Sequence, residues 1–449
     1  MYIFNLENNK QQQTMTNLKK LVTTIILAVP TIVSAQGFQV NLQGQVQQGM
    51  GTAGTALIQD GASVFFNPGG AAFVKKNSID LGMTATIANG QFLDKNSGTV
   101  NKTTSPVSTP FTAYAIFGKD SCTKKGMTKL REKLSHIKGR VFKDKFQDIG
   151  MKFGLGVYTP FGSIVDWEKG WTGRYTLTHL QLQAIFIQPT ISIKLGSKFG
   201  IGGGFVYSTG SVNLQKDIPV VDADGNVGHA ELSGKAHGWG YNLGVYYKPY
   251  KYLSLGLTYR SQVNMKVNSG DATFKVPSSL SSNFPNGKFT ASLPLPSVLT
   301  LGIGFTPTEK LSFALDVNYV GWKAYDTLAF DYANNTASLV DTKSARLYKN
   351  TFAVRFGGQY KITPAFAVRL GMAYANTPIQ NGYVTPETPD ASRYIYTAGL
   401  GYTIKNKFTI NASILYETLK RTDTNIETNL SGTYQTNVIA PGLSLSYKF

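Results

Sequence analysis

From Asn77 to the C-terminus, apolar and polar residues alternate along the chain. The last strand-like run is the clearest: Leu443, Leu445, Tyr447 and Phe449 alternate with Ser444, Ser446 and Lys448. The same spacing recurs in Phe366, Val368, Leu370, Met372, Tyr374 and in Tyr394, Tyr396, Ala398, Leu400, Tyr402. It appears again in Leu311, Phe313, Leu315, Val317, Tyr319 and in Leu253, Leu255, Leu257, Tyr259. Residues of the opposite phase are small or polar, among them Gly256, Thr258, Asn318, Gly399, Gly401 and Asn411. Period two makes strands with two unlike faces. In a soluble sandwich the apolar face meets a second sheet; in a membrane barrel it meets lipid while the polar face lines the lumen.

The pattern divides into fourteen predicted strands, at roughly 77–92, 106–118, 151–162, 176–195, 199–213, 237–248, 252–270, 291–306, 311–325, 347–361, 365–376, 392–404, 408–418 and 435–449. Short connections (Gly196–Lys198, Pro249–Lys251, Pro307–Lys310, Lys405–Lys407) contrast with long ones (Asn213–Ala236, Gly270–Thr290, Asp326–Arg346, Thr418–Tyr434). Outer-membrane barrels have short periplasmic turns, long outer loops and an even strand number, which places both termini in the periplasm. The expected fold is all-β: a 14-stranded antiparallel transmembrane β-barrel over residues 77–449. One segment breaks the rule. Lys119–Gly150 falls where a tight periplasmic turn belongs, yet Leu130, Leu134, Ile137 and Val141 are spaced as an amphipathic helix. It carries ten Lys and Arg against four Asp and Glu. This basic periplasmic insertion reads as a helix capping the barrel floor, or as a docking surface for a periplasmic partner or inner-leaflet headgroups.

No run of eighteen apolar residues exists, so a helical membrane protein is excluded. Leu21–Ala35 is the only strongly apolar run; it follows Lys19-Lys20, contains Pro30 and ends Val33-Ser34-Ala35. This is a secretory signal peptide with cleavage expected before Gln36, the start falling at Met15 within a 1–35 leader. The single Cys122 excludes an internal disulfide framework. A formal charge of +19 suggests nucleic acid in a soluble chain, but no recognition motif accompanies it. In an exported barrel the same charge suits the phosphates of lipopolysaccharide and outer-membrane lipid at the rim.

Gly49–Ala72, GMGTAGTALIQDGASVFFNPGGAA, lies between the signal and the first strand. It is glycine-rich, and Asp60 is its only ionisable residue. Such a segment fills a narrow space without burying charge, so residues 36–76 read as a plug. Asn67-Pro68-Gly69 fixes a turn at its end, and Phe65-Phe66 just before it presents apolar surface to a hydrophobic ligand. A Gly-rich run closing in Asn-Pro-small ahead of an outer-membrane barrel resembles the hatch of the FadL/TodX family, with Gly69 where the family's motif has Ala. FGLGVYTPFGSIVDWEKGWTGRY (Phe153–Tyr175), FIQPTISIKL (Phe186–Leu195) and LPLPSVLTLGIGFTPTEKLSFALDVNYVGWKAYD (Leu293–Asp326) add to the resemblance. It implies an outer-membrane transporter of hydrophobic compounds such as long-chain fatty acids and aromatics, working by passive diffusion. It also implies a kinked third strand that opens the wall for lateral release. The C-terminal Phe449 resembles the signal read by the outer-membrane assembly machinery. A monomer is expected.

The strand Met151–Gly162 holds Gly154, Gly156, Pro160 and Gly162, which mark a bulge or interrupted ladder; packing of these glycines against a bulky plug is the alternative. Alternation turns Arg260, Asp316, Arg355 and Arg369 inward, the last three expected in one layer on consecutive strands. They either fasten wall to plug by salt bridges, or, with Phe65 and Phe66, bind a hydrophobic ligand and its carboxylate. No Gly-x-Ser-x-Gly elbow, paired-Cys site or His-Glu-x-x-His occurs. His136, His179, His229 and His237 are scattered, and Asp222-Ala-Asp-Gly-Asn lacks the later Glu of a calcium loop. No enzyme, metal site or cofactor is therefore expected. The rival readings are a polar-solute porin, which needs an open lumen, and an adhesive or structural barrel, which needs no internal pocket.

Overall fold

The computed structural model describes residues 37–119 and 149–449. The signal peptide and the helix expected from Leu130, Leu134, Ile137 and Val141 lie outside the described residues. Fourteen antiparallel strands form the wall. In chain order they are β1 (Ser78–Thr84 and Ile87–Asp94), β2 (Val100–Lys102 and Phe111–Lys119), β3 (Ile149–Asp166), β4 (His179–Leu195) and β5 (Phe199–Val221). There follow β6 (Val227–Tyr250), β7 (Leu253–Arg260 and Val263–Lys275), β8 (Gly287–Leu295 and Val298–Phe305), β9 (Leu311–Val320 and Thr327–Tyr332) and β10 (Thr342–Ala345 and Thr351–Lys361). The last four are β11 (Phe366–Ala375), β12 (Arg393–Ile404), β13 (Phe408–Thr424) and β14 (Ser431–Lys448). Each pairs with its chain neighbours, and β14 closes on β1 with Ile79 opposite Tyr447, Leu81 opposite Leu445 and Met83 opposite Leu443. The closed ladder leaves no free edge to lipid around most of the ring.

Side-chain alternation follows the expected phase. Leu370 and Leu443 are 71% and 63% exposed on the outer face, whereas Thr258, Asn318 and Asn411 are buried inside. The apolar band meets lipid; the polar phase meets the contents of the barrel.

Two of the long outer loops, Asn213–Ala236 and Thr418–Tyr434, are mostly strand. β5 and β6 run on to Val221 and from Val227, with Gln215 opposite Glu231 and Asp217 opposite His229. β13 and β14 likewise extend to Thr424 and from Ser431. In β5 and β6 the alternation continues there with its polarity reversed: Ala230 and Leu232 are buried on the inner face, while Gln215 and Glu231 of the other phase are polar, so the apolar residues turn inward as the backbone ladder continues. At the other end the connections are as short as expected; Lys405 and Asn406 turn with φ of 48° and 57°, the left-handed pair of a tight hairpin.

The lipid-facing series ends on Phe449, whose ring lies 5.6 Å from Tyr447 and 6.0 Å from Phe117. Its N–H donates to the Asn77 carbonyl across the closing seam. Deleting Phe449 is expected to lower the heat-modifiable, membrane-assembled fraction several-fold, while Lys448→Ser leaves it near wild type. Equal assembly of the two variants on gels would contradict this register.

Candidate functional site

Residues 37–76 run through the inside of the wall and are buried along almost their whole length. Contact with the wall is backbone on backbone. A Cβ on Gly371 of β11 would stand 2.0 Å from the Gly51 nitrogen, and one on Gly357 of β10 would stand 2.2 Å from the Met50 oxygen. Around the Asn-Pro-Gly turn, a Cβ on Gly200 or Gly202 would come within 2.3 Å of the Gly69 or Pro68 carbonyl oxygen. No side chain can move aside to relieve contacts with fixed backbone, so these inward positions require glycine.

Two buried backbones also need partners. Asn67 provides them at the turn: its Oδ1 accepts from Gly69 N (3.0 Å) and Gly70 N (3.2 Å). Its Nδ2 donates to the carbonyls of Thr55 (2.8 Å) and Val245 on β6 (3.1 Å). Pro68 occupies the first position of the short helical turn that Asn67 caps. Wall side chains finish the work. Gln188 donates to Val64 O (2.8 Å), Asn242 to Phe65 O (3.0 Å), Ser254 to Ala56 O (2.7 Å) and Lys152 to Val74 O.

The inward charges sort by height. Asp316 and Arg355 face each other across β9 and β10. Asp316 Oδ2 accepts from Gly54 N (2.8 Å) and Thr55 N (3.0 Å), and Arg355 donates to Asn41 Oδ1 (2.7 Å) and Thr52 O (3.4 Å). Both therefore tie wall to plug. Arg369 does not share their layer, which corrects the expected arrangement. The β10–β11 hairpin closes with Lys361 opposite Ala367, so Arg369 lies opposite Gln359 while Arg355 lies opposite Ala373. Arg369 bonds wall residues, Gln359 (2.7 Å) and Asn411 (3.0 Å). Arg260 stacks its guanidinium 3.6 Å above the Phe65 ring. Phe65 and Phe66 are buried edge-on to each other, with Phe65 also against Tyr158, so they pack the plug to the wall.

Two cavities lie elsewhere in the lumen. The larger, about 460 Å³, is bordered by Phe38–Leu42, by Thr159 and Phe161–Val165 of β3 and by Val107–Pro110. The smaller, about 90 Å³, is walled by Leu182, Leu214, Val267, Leu293, Leu328 and Phe330. Phe38 and Ser163 border both. Phe38 sits among Trp322 (4.9 Å), Tyr325 (5.8 Å) and Phe161 (6.1 Å). Gly37 before it has φ 58°, packs on Trp322 and donates from its N–H to Asp390 Oδ2 at 2.9 Å. Neither cavity is lined by Phe65, Phe66, Arg260, Arg355 or Arg369.

The larger cavity abuts a break in the wall. β2 and β3 are paired from Lys119–Met151 up to Thr112–Tyr158, and again where Thr103 bridges Trp167. Between these points β3 shifts register at Tyr158–Phe161 and has no partner in β2. Its edge is instead met from inside: Val40 N donates to Pro160 O (2.9 Å) and Gly162 N to Phe38 O (3.2 Å). Pro160 and Gly162 thus stand at the irregularity. Gly154 and Gly156 stand below it in continuous ladder, where a Cβ on Gly154 would meet Val64 of the plug at 2.6 Å and one on Gly156 would meet Tyr114 and Tyr158 at 3.2 Å. Gly154 thus packs against the plug, whereas Gly156 packs against two tyrosines of the wall.

The model of the family described as outer membrane protein transport protein (OMPP1/FadL/TodX) matches residues 26–449. The chain belongs to this family. It is a family of outer-membrane β-barrels that transport hydrophobic compounds. The chain is 24% identical to an outer-membrane protein of Neisseria meningitidis, over 96% of this chain and 99% of that one. It is 21% identical to the long-chain fatty acid transport protein of Escherichia coli over 43% of this chain and 44% of the relative. Among solved structures, a Pseudomonas aeruginosa FadL homologue superposes with a TM-score of 0.73 at 18% identity, over 92% of this chain and all of the other. The toluene transporter TodX of Pseudomonas putida gives 0.67 at 16%, over 90% and 98%.

The Asp222–Asn226 turn closes on itself, Asp222 Oδ1 accepting from Asp224 N and Asn226 N. Among the described residues no cluster of His, Cys, Asp and Glu has metal-site geometry. His179 pairs with Asp166 at 2.6 Å and His229 with Asp217 at 3.3 Å. The sequence reading missed Phe38, Arg346, Glu387 and Arg393, all of which border the cavities. Its one available signal was the cluster of acids and prolines, Pro386-Glu387-Thr388-Pro389-Asp390, just ahead of Arg393 in the β11–β12 connection.

Asn67→Asp replaces a donor by an acceptor against two buried carbonyls. It is expected to cost about 2–4 kcal/mol in denaturant unfolding, from two orphaned acceptors at about 1–2 each; a change below half that would contradict the anchoring role. A second expectation concerns Asp60, whose carboxyl accepts from Gln47 Nε2 (3.0 Å) and Ala62 N (3.2 Å). Burial, reinforced by the nearby Asp80 carboxylate, pushes it from 3.8 up to about 6. Between those values the folded state holds a proton that the unfolded state has lost. Asp60's contribution to stability is thus present below about pH 4 and is lost as pH rises through about 6. Asp60→Asn should flatten this part of the stability–pH profile between pH 4 and 7, and an unchanged slope would contradict it.

Proposed function

We propose that the protein carries small hydrophobic molecules across the outer membrane by passive diffusion, releasing them sideways through the gap between β2 and β3. One observation carries the reading: the larger cavity is bordered by the residues on both sides of that gap, Val107–Pro110 and Phe161–Val165. A solute in the apolar cavity would pass Phe38 and Ser163 and leave into the lipid, where exposed Ile87 and Val107 face outward. Membership of a transport family and the fold shared with toluene and FadL-type channels support the substrate class. Axial passage is opposed by the plug, whose anchors to the wall run from Asn41 to Val74. The remaining roles follow from the same reading. Basic residues meet lipopolysaccharide phosphates, Phe449 is read by the assembly machinery, and the closed barrel works as a monomer.

Ser163→Trp fills the passage where both cavities meet. In proteoliposomes it is expected to cut toluene uptake about fivefold or more, with heat-modifiable mobility retained and arabinose permeation unchanged. Unchanged toluene uptake, or a parallel fall for both solutes, would favour an axial pore and overturn lateral release.

A further inference from the structure

We infer that the molecules this channel selects are uncharged, and that carboxylates are rejected, because each cation facing the cavities is already held by a carboxylate of the protein. The inference rests on the import reading above and adds the charge of the substrate to it. Among the described residues, the apolar cavity is bordered by a single cation, Arg346. Its Nη2 lies 3.3 Å from Glu387 Oε1, both side chains are almost withdrawn from solvent, and Nη1 donates to Ser344. The larger cavity also has one cation, Arg393, whose Nη1 lies 3.3 Å from Glu417 Oε1 and 3.7 Å from Asp390 Oδ1.

Charge at the two cavities therefore leans negative. Glu387, Asp390 and Glu417 face two guanidinium groups, and among the described residues no lysine or histidine borders either cavity. Asp390 is further occupied by the Gly37 N–H (2.9 Å) and the Thr377 hydroxyl (2.8 Å). Burial raises its carboxyl above the ordinary value, yet even an uncharged Asp390 leaves one carboxylate for each arginine. The other lumen arginines, Arg260, Arg355 and Arg369, border neither cavity and are engaged as described above. A fatty-acid or aromatic carboxylate entering here gives up its water with no free cation to receive it, and meets Glu387 at the junction of both cavities. An arene or a neutral ester gives up almost nothing. Discrimination comes from the repulsive element as much as from apolar fit.

The test uses detergent-purified full-length protein and equilibrium dialysis at pH 8, with detergent alone as the blank. Toluene, methyl benzoate and benzoate are compared. Toluene and the ester are expected to bind, and benzoate about tenfold more weakly or worse. Glu387→Gln frees Arg346 and should narrow the ester-to-acid ratio about fivefold. Should that variant fail the heat-modifiability check, Glu417→Gln, which releases Arg393 in part, is measured in the same way. Benzoate binding as tightly as methyl benzoate to the wild type overturns the inference. So does a ratio that stays unchanged in the folded variant. If none of the three compounds binds, the import reading itself falls; if the acid binds along with the neutral compounds, only the charge inference does.

Discussion

The structure depends on how closely two backbones can approach. The plug lies against the wall with no side chain between them at Gly51–Gly371, Met50–Gly357 and Gly69–Gly200. This fixes the inward residues of β5, β10 and β11 at these contacts as glycine, and it makes a second demand. Peptide groups pressed together out of water must find hydrogen-bond partners. Where ladder geometry cannot supply them, side chains do: Asn67 from the plug, and Gln188, Asn242, Ser254 and Asp316 from the wall. Glycine on one phase and buried amides or carboxylates beside it are thus two consequences of one constraint.

The lumen is divided accordingly. In one region charges and amides are used up in fastening, and Arg355, Arg369 and Arg260 border neither of the two cavities. Elsewhere, side chains from β4, β5, β7, β8 and β9 border an apolar space. The β11–β12 connection folds inward to supply Glu387 and Asp390. Ion pairing there neutralises arginines that would otherwise attract anions, so the same pairs that make burial tolerable also shape what the cavity admits.

This division explains what the sequence made legible. Strands, closure and outward phase were readable because lipid and lumen impose opposite polarity on alternate residues, as at Leu443–Phe449. The plug was readable because a segment with a single ionisable residue suits a narrow interior. Strand ends above the bilayer were not readable, since the polarity of the two phases reverses there: Leu214 and Leu232 turn inward, and Gln215 and Glu231 of the other phase are polar. The height of Arg369 was misjudged because counting residues from a presumed turn does not give the rung; the pairing of Lys361 with Ala367 does. Cavity residues such as Arg346, in the break within β10, and Glu387, in the β11–β12 connection, come from irregular segments whose fold no periodicity encodes.

The gap between β2 and β3 follows from the same accounting. An unpaired strand edge at the level of the bilayer exposes peptide groups that lipid cannot satisfy. β3 carries Pro160 at this point, which has no N–H to leave unpaired. Its remaining carbonyl and the Gly162 N–H are met by Val40 and Phe38 from within the lumen. The chain just after Gly37 therefore does the work of the missing rungs of β2. It can do so only because the plug behind it is anchored at Asn41 and Gly51 through Arg355 and Thr397. Phe38 at once accepts a backbone hydrogen bond from Gly162 of β3 and forms an aromatic wall of both cavities. Displacing it unmakes the bonds that cover the gap and enlarges the space beside it, so the integrity of the wall and the room for a solute are set by one residue's position.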